Sequence, residues 1–453
     1  MSNTQPDFKS PAEVIAEEDK DLVLNQGQEQ VAQSFFQFML SNDKEFSISG
    51  PAGTGKTTLM RHIIGVTMPE AAKAAALLGG NQIDYEVILT ATTNKAAEVL
   101  ADVTGFPTST IHSHMNLKVQ DDYKTGVSKV IRTANFVVHS KQVIFIDEAS
   151  MADTPLIEHL IEGTDSSCKI VYLGDHCQMA PVFEAISPVY KNPKNVGFLI
   201  HPMRNAGAPA LMSLCTQLRH TVETKEFHPI REVPGVIDYL DPDQAYEFME
   251  STFSEENPNC RVLAYSNARV KEYLDLIRDL RGYPDLFTEG EHVLNNTGMQ
   301  LPGKLGTLRV EEEMEIIEVT QEPHVITINH CPDGNEIEIY GVRVKSARRP
   351  EPLNLFIPSQ PTHFREMTNY YKRMKNWKAF YYLKNTFPDL RQRDAATVYK
   401  AQGSTYESVF MDLTNIGSAT NVDQLSRMLY VGASRASKRL FLFGQLPQRL
   451  FVK

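Results

Sequence analysis

The sequence predicts an α/β fold with parallel sheets, divided over more than one domain. At 453 residues the chain is too long to fold around one hydrophobic core. A glycine-rich loop at 50–57 lies between a strand-like segment and an apolar helical pattern. The continuous apolar run 143–146 ends in an acidic pair, which is typical of a strand buried on both faces of a parallel sheet.

The composition is that of an ordinary globular protein, with 42% apolar and 22% charged residues. No apolar run is long enough for a membrane span, and the N-terminus lacks the pattern of a signal peptide. The five cysteines are scattered without paired spacing, so neither disulfides nor zinc sites are expected. We therefore expect a cytoplasmic protein with no membrane partner, in which residues 1–20 form a flexible acidic N-terminus.

The charge is unevenly distributed along the chain. A formal net charge of −11 argues against a general nucleic-acid coat protein, because binding to phosphates needs local positive potential. Between Gly341 and Lys400, however, thirteen Lys and Arg residues stand against four Asp and Glu residues. This basic segment is a candidate contact surface for phosphates.

The loop at 50–57 matches the pattern G-x-x-x-x-G-K-[ST], in which backbone N–H groups cradle phosphates at the start of a helix. Lys56 is expected to reach the β- and γ-phosphates of ATP, and the Thr57 hydroxyl to hold Mg²⁺. A glycine turn without a ligand is the alternative. The residues predicted to contact the nucleotide here are Gly50, Ala52, Gly53, Thr54, Gly55, Lys56, Thr57 and Thr58.

Two further strand-like runs end in polar residues suited to phosphate chemistry. Asp147 follows the first run and can bind Mg²⁺, while Glu148 is placed to orient and deprotonate the attacking water. After the second run, Gln178 is a candidate coupling residue that can hydrogen-bond both nucleotide and water. The alternatives are a surface acidic pair and an ordinary loop glutamine.

These features fit any phosphate-loop enzyme, including a small-molecule kinase. A GTPase is disfavoured because the sequence has no N-K-x-D element. Arg435 and Arg204 are candidates to stabilise charge on the transferring phosphoryl group from a facing domain, as a motor requires. A surface salt bridge is the alternative for either arginine.

The ordered motifs "LNQGQEQ", "GPAGTGKTT", "LTATTNKAA", "STIHSHM", "IFIDEAS", "LGDHCQMAPV", "MRN", "VYKAQGST" and "LYVGASRA" resemble the series of superfamily 1 helicases. The resemblance is closest to the 5′→3′ branch with RecD-like and Dda-like enzymes. It runs from about Leu24 to Phe443 and is weakest between Asp285 and Arg393. It implies two RecA-like motor domains with ATP in the cleft between them.

The same resemblance implies roles for individual residues. Gln28 would read adenine, and Gly403 would join the ATP site together with Arg204 and Arg435. The implied strand contacts are Thr92, Asn94, Lys95, His112, Ser113, Lys400 and Thr405. Their hydroxyl, amide and cationic groups suit phosphate oxygens, which hold a strand without reading its sequence. The chain departs from many relatives at Tyr399, where they have a histidine.

Two inserts are predicted. Alternating apolar residues around a turn indicate a β-hairpin at 114–136, which in the family is the pin that splits base pairs; a purely structural hairpin is the alternative. Short strand-like segments predict a small, SH3-like β-barrel between 301 and 344. A basic helical arm follows, with one apolar face formed by Tyr370, Met374, Trp377 and Tyr381, and core packing is favoured there over base stacking.

The predicted domains are 21–200 for the first motor domain, 201–285 with 394–453 for the second, and 286–393 for the inserted barrel and arm. The expected function is an ATP-dependent DNA helicase that moves 5′→3′, in replication or recombination of a phage genome. The expected partners are single-stranded DNA, single/double-strand junctions and replication or single-strand-binding proteins, with the helicase acting as a monomer. An RNA translocase, a small-molecule phosphotransferase and a non-catalytic nucleic-acid-binding module are the alternatives.

Overall fold

The computed structural model describes residues 23–79, 84–126, 128–181, 183–191, 193–200, 208–303, 305–320, 322–328 and 336–451. The predicted N-terminal segment 1–20 and Arg204 lie outside these residues. Within them, no helix is both long enough and apolar enough to cross a membrane.

The elements are numbered in chain order. The strands are β1 (Glu45–Ser49), β2 (Glu86–Ala91), β3 (Ser109–Thr110), β4 (Leu117–Asp121), β5 (Ser128–Arg132), β6 (Gln142–Asp147), β7 (Lys169–Gly174), β8 (Val196–Phe198), β9 (Ile237–Leu240), β10 (Cys260–Ala264), β11 (His292–Asn295), β12 (Met299–Gln300), β13 (Thr307–Leu308), β14 (Glu313–Val319), β15 (His324–Thr327), β16 (Glu336–Lys345), β17 (Leu353–Pro358), β18 (Leu390–Gln392), β19 (Ala395–Thr397), β20 (Tyr406–Asp412) and β21 (Ala436–Phe443). The α-helices are α1 (Gln26–Leu40), α2 (Lys56–His62), α3 (Met68–Leu77), α4 (Asn94–Thr104), α5 (Ile111–His114), α6 (Thr154–Glu162), α7 (Pro209–Thr224), α8 (Pro242–Phe253), α9 (Asn267–Leu280), α10 (Pro361–Arg373), α11 (Trp377–Thr386), α12 (Val398–Ala401), α13 (Leu413–Gly417) and α14 (Val422–Ala433).

The first motor domain is built on a six-stranded sheet in the order β3-β2-β6-β7-β1-β8, in which every pairing is parallel. The apolar run predicted to be a buried strand is β6, which lies between β2 and β7 and is buried up to its last residue. Phe35 on α1 packs against Phe46 and Phe145 on one face of the sheet. The phosphate loop joins β1 to α2 at the carboxyl edge.

The second motor domain has a five-stranded parallel sheet in the order β19-β10-β20-β21-β9. On one face, α14 and α7 pack together through buried residues such as Leu214, Leu218 and Leu429. The two parallel sheets confirm the predicted α/β fold class with a parallel sheet in each of two domains.

The predicted hairpin insert forms from β4 and β5, which pair antiparallel. The Asp122 side chain holds the turn by accepting hydrogen bonds from the N–H groups of Lys124 and Thr125. Gly126 completes the turn with a φ of +72°, a conformation that glycine adopts readily.

The second insert is an antiparallel sheet in the order β15-β16-β14-β11-β18, with β17 also paired to β16. Among the described residues the pairing does not return on itself, so the insert is a half-barrel. Its core includes Val293, Ile316 and Val342. Helices α10 and α11 cover Ile337 and Ile339 at one end of β16.

The prediction of one continuous apolar face along the arm is wrong. Helix α10 ends at Arg373, Lys375 adopts a φ of +53°, and Asn376 caps the start of α11 by accepting from the Ala379 N–H. Tyr381 on α11 is buried, whereas Met374, which lies in the connection between the two helices, is 63% exposed.

Candidate active site

The phosphate loop has the geometry expected of a cradle. Gly53 and Gly55 adopt φ values of +80° and +78°, which turn the backbone sharply before α2 begins at Lys56. Lys56 Nζ donates to the carbonyl oxygens of Gly50, at 2.8 Å, and Pro51, at 3.0 Å. The lysine ammonium therefore lies over the loop, where phosphate oxygens would compete with these carbonyl oxygens for its hydrogen bonds.

Gln28 is fixed against this loop. It forms a capping box with Asn25 at the start of α1, and its side chain is buried. Gln28 Nε2 donates to the Thr54 and Gly55 carbonyl oxygens at 3.4 and 3.3 Å. A Cβ on Gly55 would lie 2.5 Å from this nitrogen, so the contact also requires glycine.

The acid pair stands at the carboxyl end of β6, beside the loop. Glu148 adopts a left-handed φ of +52°, and Thr92 Oγ1 donates to its carbonyl oxygen at 3.0 Å. Burial and the charge of Glu148 raise the pKa of Asp147 to about 6, against the opposing charge of Lys56. This crowding of carboxylates is what a divalent cation relieves, and the hydroxyl of Thr57 with the carboxylate of Asp147 is an all-oxygen donor set of the kind Mg²⁺ prefers.

Gln178 follows β7 and is only 3% exposed. Its Oε1 has no hydrogen-bond partner within the described part of the chain. Buried amide oxygens are normally satisfied, so this atom is an acceptor open to water or to a ligand. Its predicted position next to a γ-phosphate stays a prediction.

Asp175, three residues earlier, joins the two motor domains. It is fully buried and accepts hydrogen bonds from Arg219 on α7 and from the Tyr430 hydroxyl on α14, the latter at 2.6 Å. Burial acts to raise its pKa, but the charges of Arg219 and Lys56 and the Tyr430 hydrogen bond hold the pKa of Asp175 below its usual range. Asp175 is therefore an ionised acid paired across the cleft.

Arg427 makes a second connection across the cleft. Its Nη1 donates to the carbonyl oxygens of His176, at 2.5 Å, and Gln178, at 2.6 Å. Sequence reasoning did not single out Arg219, Arg427 or Tyr430. The available signal was weak: Arg427 and Tyr430 are three residues apart and so share a helical face.

The loop after α12 also reaches the acid pair. Gln402 Nε2 donates to Glu148 Oε2 at 3.0 Å and to Ser150 Oγ at 3.2 Å. Gly403 adopts a φ of +82°, and a Cβ there would lie 4.0 Å from Glu148 Oε1. The structure thus brings Gly403 into the cleft, as predicted for a residue of the ATP site, and adds Gln402, which was not assigned to it.

Arg435 lies within the second motor domain, away from the acid pair. It is 4% exposed and donates to Val431 O, Ser404 O and Ser434 Oγ, all within the second motor domain. The guanidinium holds α14 against the loop that carries Thr405. The structure does not bring it into contact with the acid pair.

The predicted strand contacts follow neighbouring strands of both sheets. Thr92 follows β2 and His112 follows β3, which pair with each other in parallel, so both lie at the carboxyl edge. Asn94 and Lys95 begin α4, and Ser113 on α5 is exposed, as is Thr405. Lys400 is engaged by the half-barrel, where its Nζ contacts Glu311 Oε1 at 2.9 Å and the Asn296 carbonyl oxygen at 3.1 Å.

These features define a class: a phosphate-loop protein in which the loop and the acid pair lie where two α/β domains with parallel sheets meet. The protein-family model described as AAA domain matches residues 23–187. The family model described as UvrD-like helicase C-terminal domain matches residues 394–443.

The chain is 24% identical to the ATP-dependent DNA helicase dda of Enterobacteria phage T4 over 461 residues, which cover 92% of this chain and 98% of that protein. It is 27% identical over 158 residues to the RecBCD enzyme subunit RecD of Buchnera aphidicola, covering 32% of this chain and 24% of that protein. A crystal structure of Pif1 helicase from Bacteroides in complex with ADP-AlF3 and ssDNA is similar with a TM-score of 0.49 at 12% identity, covering 96% of this chain and 95% of that one. The chain is a homologue of Dda, and the predicted kinship with superfamily 1 helicases is confirmed.

Proposed function

We propose that this protein is an ATP-dependent DNA helicase that moves 5′→3′ along single-stranded DNA and displaces the partner strand. The observation that carries the proposal is the contact of Glu148, beside the phosphate loop, with the second-domain loop that also holds Lys400. One short segment thereby connects Glu148, the acid proposed to activate water, with Lys400, the candidate cation for strand binding. The nearly full-length similarity to a protein named as a DNA helicase supports the same function.

In this proposal Lys56 and the loop backbone bind the phosphates of ATP, and Gln28 reads the adenine. Thr57 and Asp147 would hold Mg²⁺, which when bound neutralises phosphate charge. Glu148 takes a proton from the attacking water, and Gln178 senses the γ-phosphate. Arg435 and Arg204 remain proposed stabilisers of the transferring phosphoryl group, which for Arg435 means leaving its contacts in the second motor domain.

The hairpin is the proposed strand separator. Its tip meets the arm, where the rings of Tyr123 and Tyr381 lie edge to face at 5.4 Å. Asn385 Nδ2 donates to Asp121 Oδ2 at 3.1 Å. A hairpin fixed at both its base and its tip resists the force of a duplex junction pressing against it.

The remaining parts of the proposal follow from the kinship with Dda. They are a role in replication or recombination of a viral genome in the host cytoplasm, activity as a monomer, and contacts with replication or single-strand-binding proteins. Motifs that hold phosphates do not choose between DNA and RNA, so the sugar must be tested directly.

Strand displacement with ATP on duplexes that carry either a 5′ or a 3′ single-stranded tail tests the function. We expect unwinding from the 5′ tail only, and unwinding only from the 3′ tail would overturn the polarity. ATP turnover stimulated by RNA but not by DNA would favour an RNA translocase. Turnover that ignores oligonucleotides would indicate a phosphotransferase, and strand binding without turnover would indicate a non-catalytic binding module.

A further inference from the structure

One side chain of the second motor domain, Gln402, lies directly on the acid assigned to water activation. Its Nε2 is shared between Glu148 Oε2 and Ser150 Oγ. Gln402 is 7% exposed, and its Oε1 has no hydrogen-bond partner among the residues that the structure describes. One amide therefore holds the Glu148 carboxylate with its nitrogen and offers an open acceptor with its oxygen.

An open, buried amide oxygen is costly unless a donor reaches it. An ionised carboxylate such as that of Glu148 offers no donor, and no donor among the described residues reaches Gln402 Oε1. Water is the small donor that the proposed reaction supplies at this place. A second open amide oxygen, Gln178 Oε1, belongs to the same cleft.

We propose that Gln402 is a positioning residue for ATP hydrolysis, contributed by the second motor domain. Its Nε2 orients the Glu148 carboxylate and its Oε1 accepts a hydrogen bond from the attacking water. The water oxygen attacks the γ-phosphorus, one water proton passes to Glu148, and the bond to the ADP oxygen breaks. This inference rests on the proposed function.

The position of Gln402 makes hydrolysis depend on the loop that grips the strand. Lys400, only two residues earlier, is a proposed strand contact, and Thr405 follows three residues later. A strand that shifts this loop also shifts the amide that aligns Glu148. The inference thus gives a physical path by which single-stranded DNA stimulates ATP turnover.

The test uses the full-length protein with Gln402→Ala and Gln402→Glu, the second of which keeps the size and an acceptor but removes the N–H donor. Hydrogen bonds that only orient a catalytic group typically change activity by about 10- to 100-fold. We expect kcat for strand-stimulated hydrolysis to fall by this factor in both variants, with KM for ATP and affinity for an oligothymidine strand unchanged. Gln217→Ala is the matched control, because Gln217 lies in the same domain and donates to the backbone carbonyl oxygens of His228 and Pro229.

A double variant shows whether Gln402 acts through Glu148. In Glu148→Gln, the further change Gln402→Ala should cost less than it costs in the unmodified protein, because the carboxylate that Gln402 orients is already lost and only the contact with water remains. Fully additive losses of kcat in the double variant, or wild-type kcat in Gln402→Glu, would overturn the inference. The proposed function would still stand if strands stimulate ATP hydrolysis by the unmodified protein. Wild-type turnover in Glu148→Gln would instead overturn the proposed hydrolytic site.

Discussion

Gly126 provides a sharp test of whether the hairpin separates strands. A Cβ at this position would lie 2.4 Å from ring carbons of Trp377, whereas ordinary contacts begin at 3.4 Å. Gly126→Ala must therefore push the hairpin tip and the arm apart by about 1 Å, since a tightly packed contact has no slack. The change leaves the proposed nucleotide site untouched.

The structure sets the size of the expected effect. The displaced tip weakens the edge-to-face contact of Tyr123 with Tyr381, which is worth about 0.5–1.5 kcal/mol. It also strains the hydrogen bond between Asn385 and Asp121, which contributes about as much. Losing about 1–3 kcal/mol of docking free energy lowers the equilibrium constant for docking about 5- to 150-fold, and we expect unwinding to slow by roughly tenfold.

Gly105→Ala is the matched control for this experiment. Gly105 has the same φ of +72°, but a Cβ there would meet no atom within 4 Å. Both variants pay the same backbone strain of about 1–2 kcal/mol, so their difference isolates the Trp377 contact. The two measurements are the rate of unwinding of a 5′-tailed duplex and the rate of ATP turnover on single-stranded DNA. The two variants should have equal ATP turnover. Equal unwinding rates in the two variants would refute the proposed role of the docked tip.

Three further predictions follow from individual contacts. Lys56→Ala should lower ATP turnover, measured as phosphate release, by about a hundredfold or more, and full activity would contradict the site. Glu311→Gln should tighten binding of a labelled oligonucleotide by about two- to fivefold at fixed salt, because it frees Lys400 from a partly exposed ion pair; weaker binding would contradict this. Asp175→Asn should destabilise the fold by up to about 3–5 kcal/mol in urea unfolding at pH 7, because Arg219 loses its buried anionic partner and keeps only the more exposed Glu223. Since the folded pKa of Asp175 is lowered, its contribution is present above the ordinary carboxyl pKa and lost as pH falls through the folded value, so variant and wild type should converge in acid.

The phosphate loop could be predicted because its determinants are local. Gly53 and Gly55 occupy the left-handed region that the spacing of the motif requires, and α2 begins at the lysine that follows. The strand that ends at Asp147 could be predicted equally well, because a parallel strand covered on both faces needs an unbroken apolar run. The hairpin also followed from a short alternating pattern around turn residues.

The arm could not be predicted to the same depth. Its apolar residues fit a helical period across the whole segment, but three residues between α10 and α11 outweigh that pattern. Lys375 adopts a positive φ and Asn376 caps the new helix, an arrangement that hydrogen bonds in the folded chain stabilise. Trp377 then faces a glycine of the hairpin more than two hundred residues earlier, a contact that no local pattern encodes.

The contacts across the cleft were hidden for the same reason. The Tyr430 hydroxyl and Asp175 are 255 residues apart in sequence. The local sequence pattern around each residue predicts its own helix or strand and does not indicate the contact between them. Arg435 illustrates the converse, because its motif predicts a place in the ATP site, whereas in this structure its guanidinium contacts only its own domain within the described part of the chain, so its role in the ATP site stays a prediction.

The segment that follows β19, which comprises α12 and the loop after it, is the point where the three parts of the molecule meet. Lys400 is held by Glu311 of the half-barrel, and Gln402 holds Glu148 of the first motor domain. A strand phosphate and the Glu311 carboxylate are both anions and would compete for the same ammonium group. Only Ala401 separates Lys400 from Gln402, so we expect a shift of Lys400 on displacement of Glu311 to reach Gln402 through the backbone. In the proposed mechanism, strand binding at Lys400 and water activation at Glu148 are therefore coupled through two neighbouring residues, and a long chain of intervening contacts is not needed.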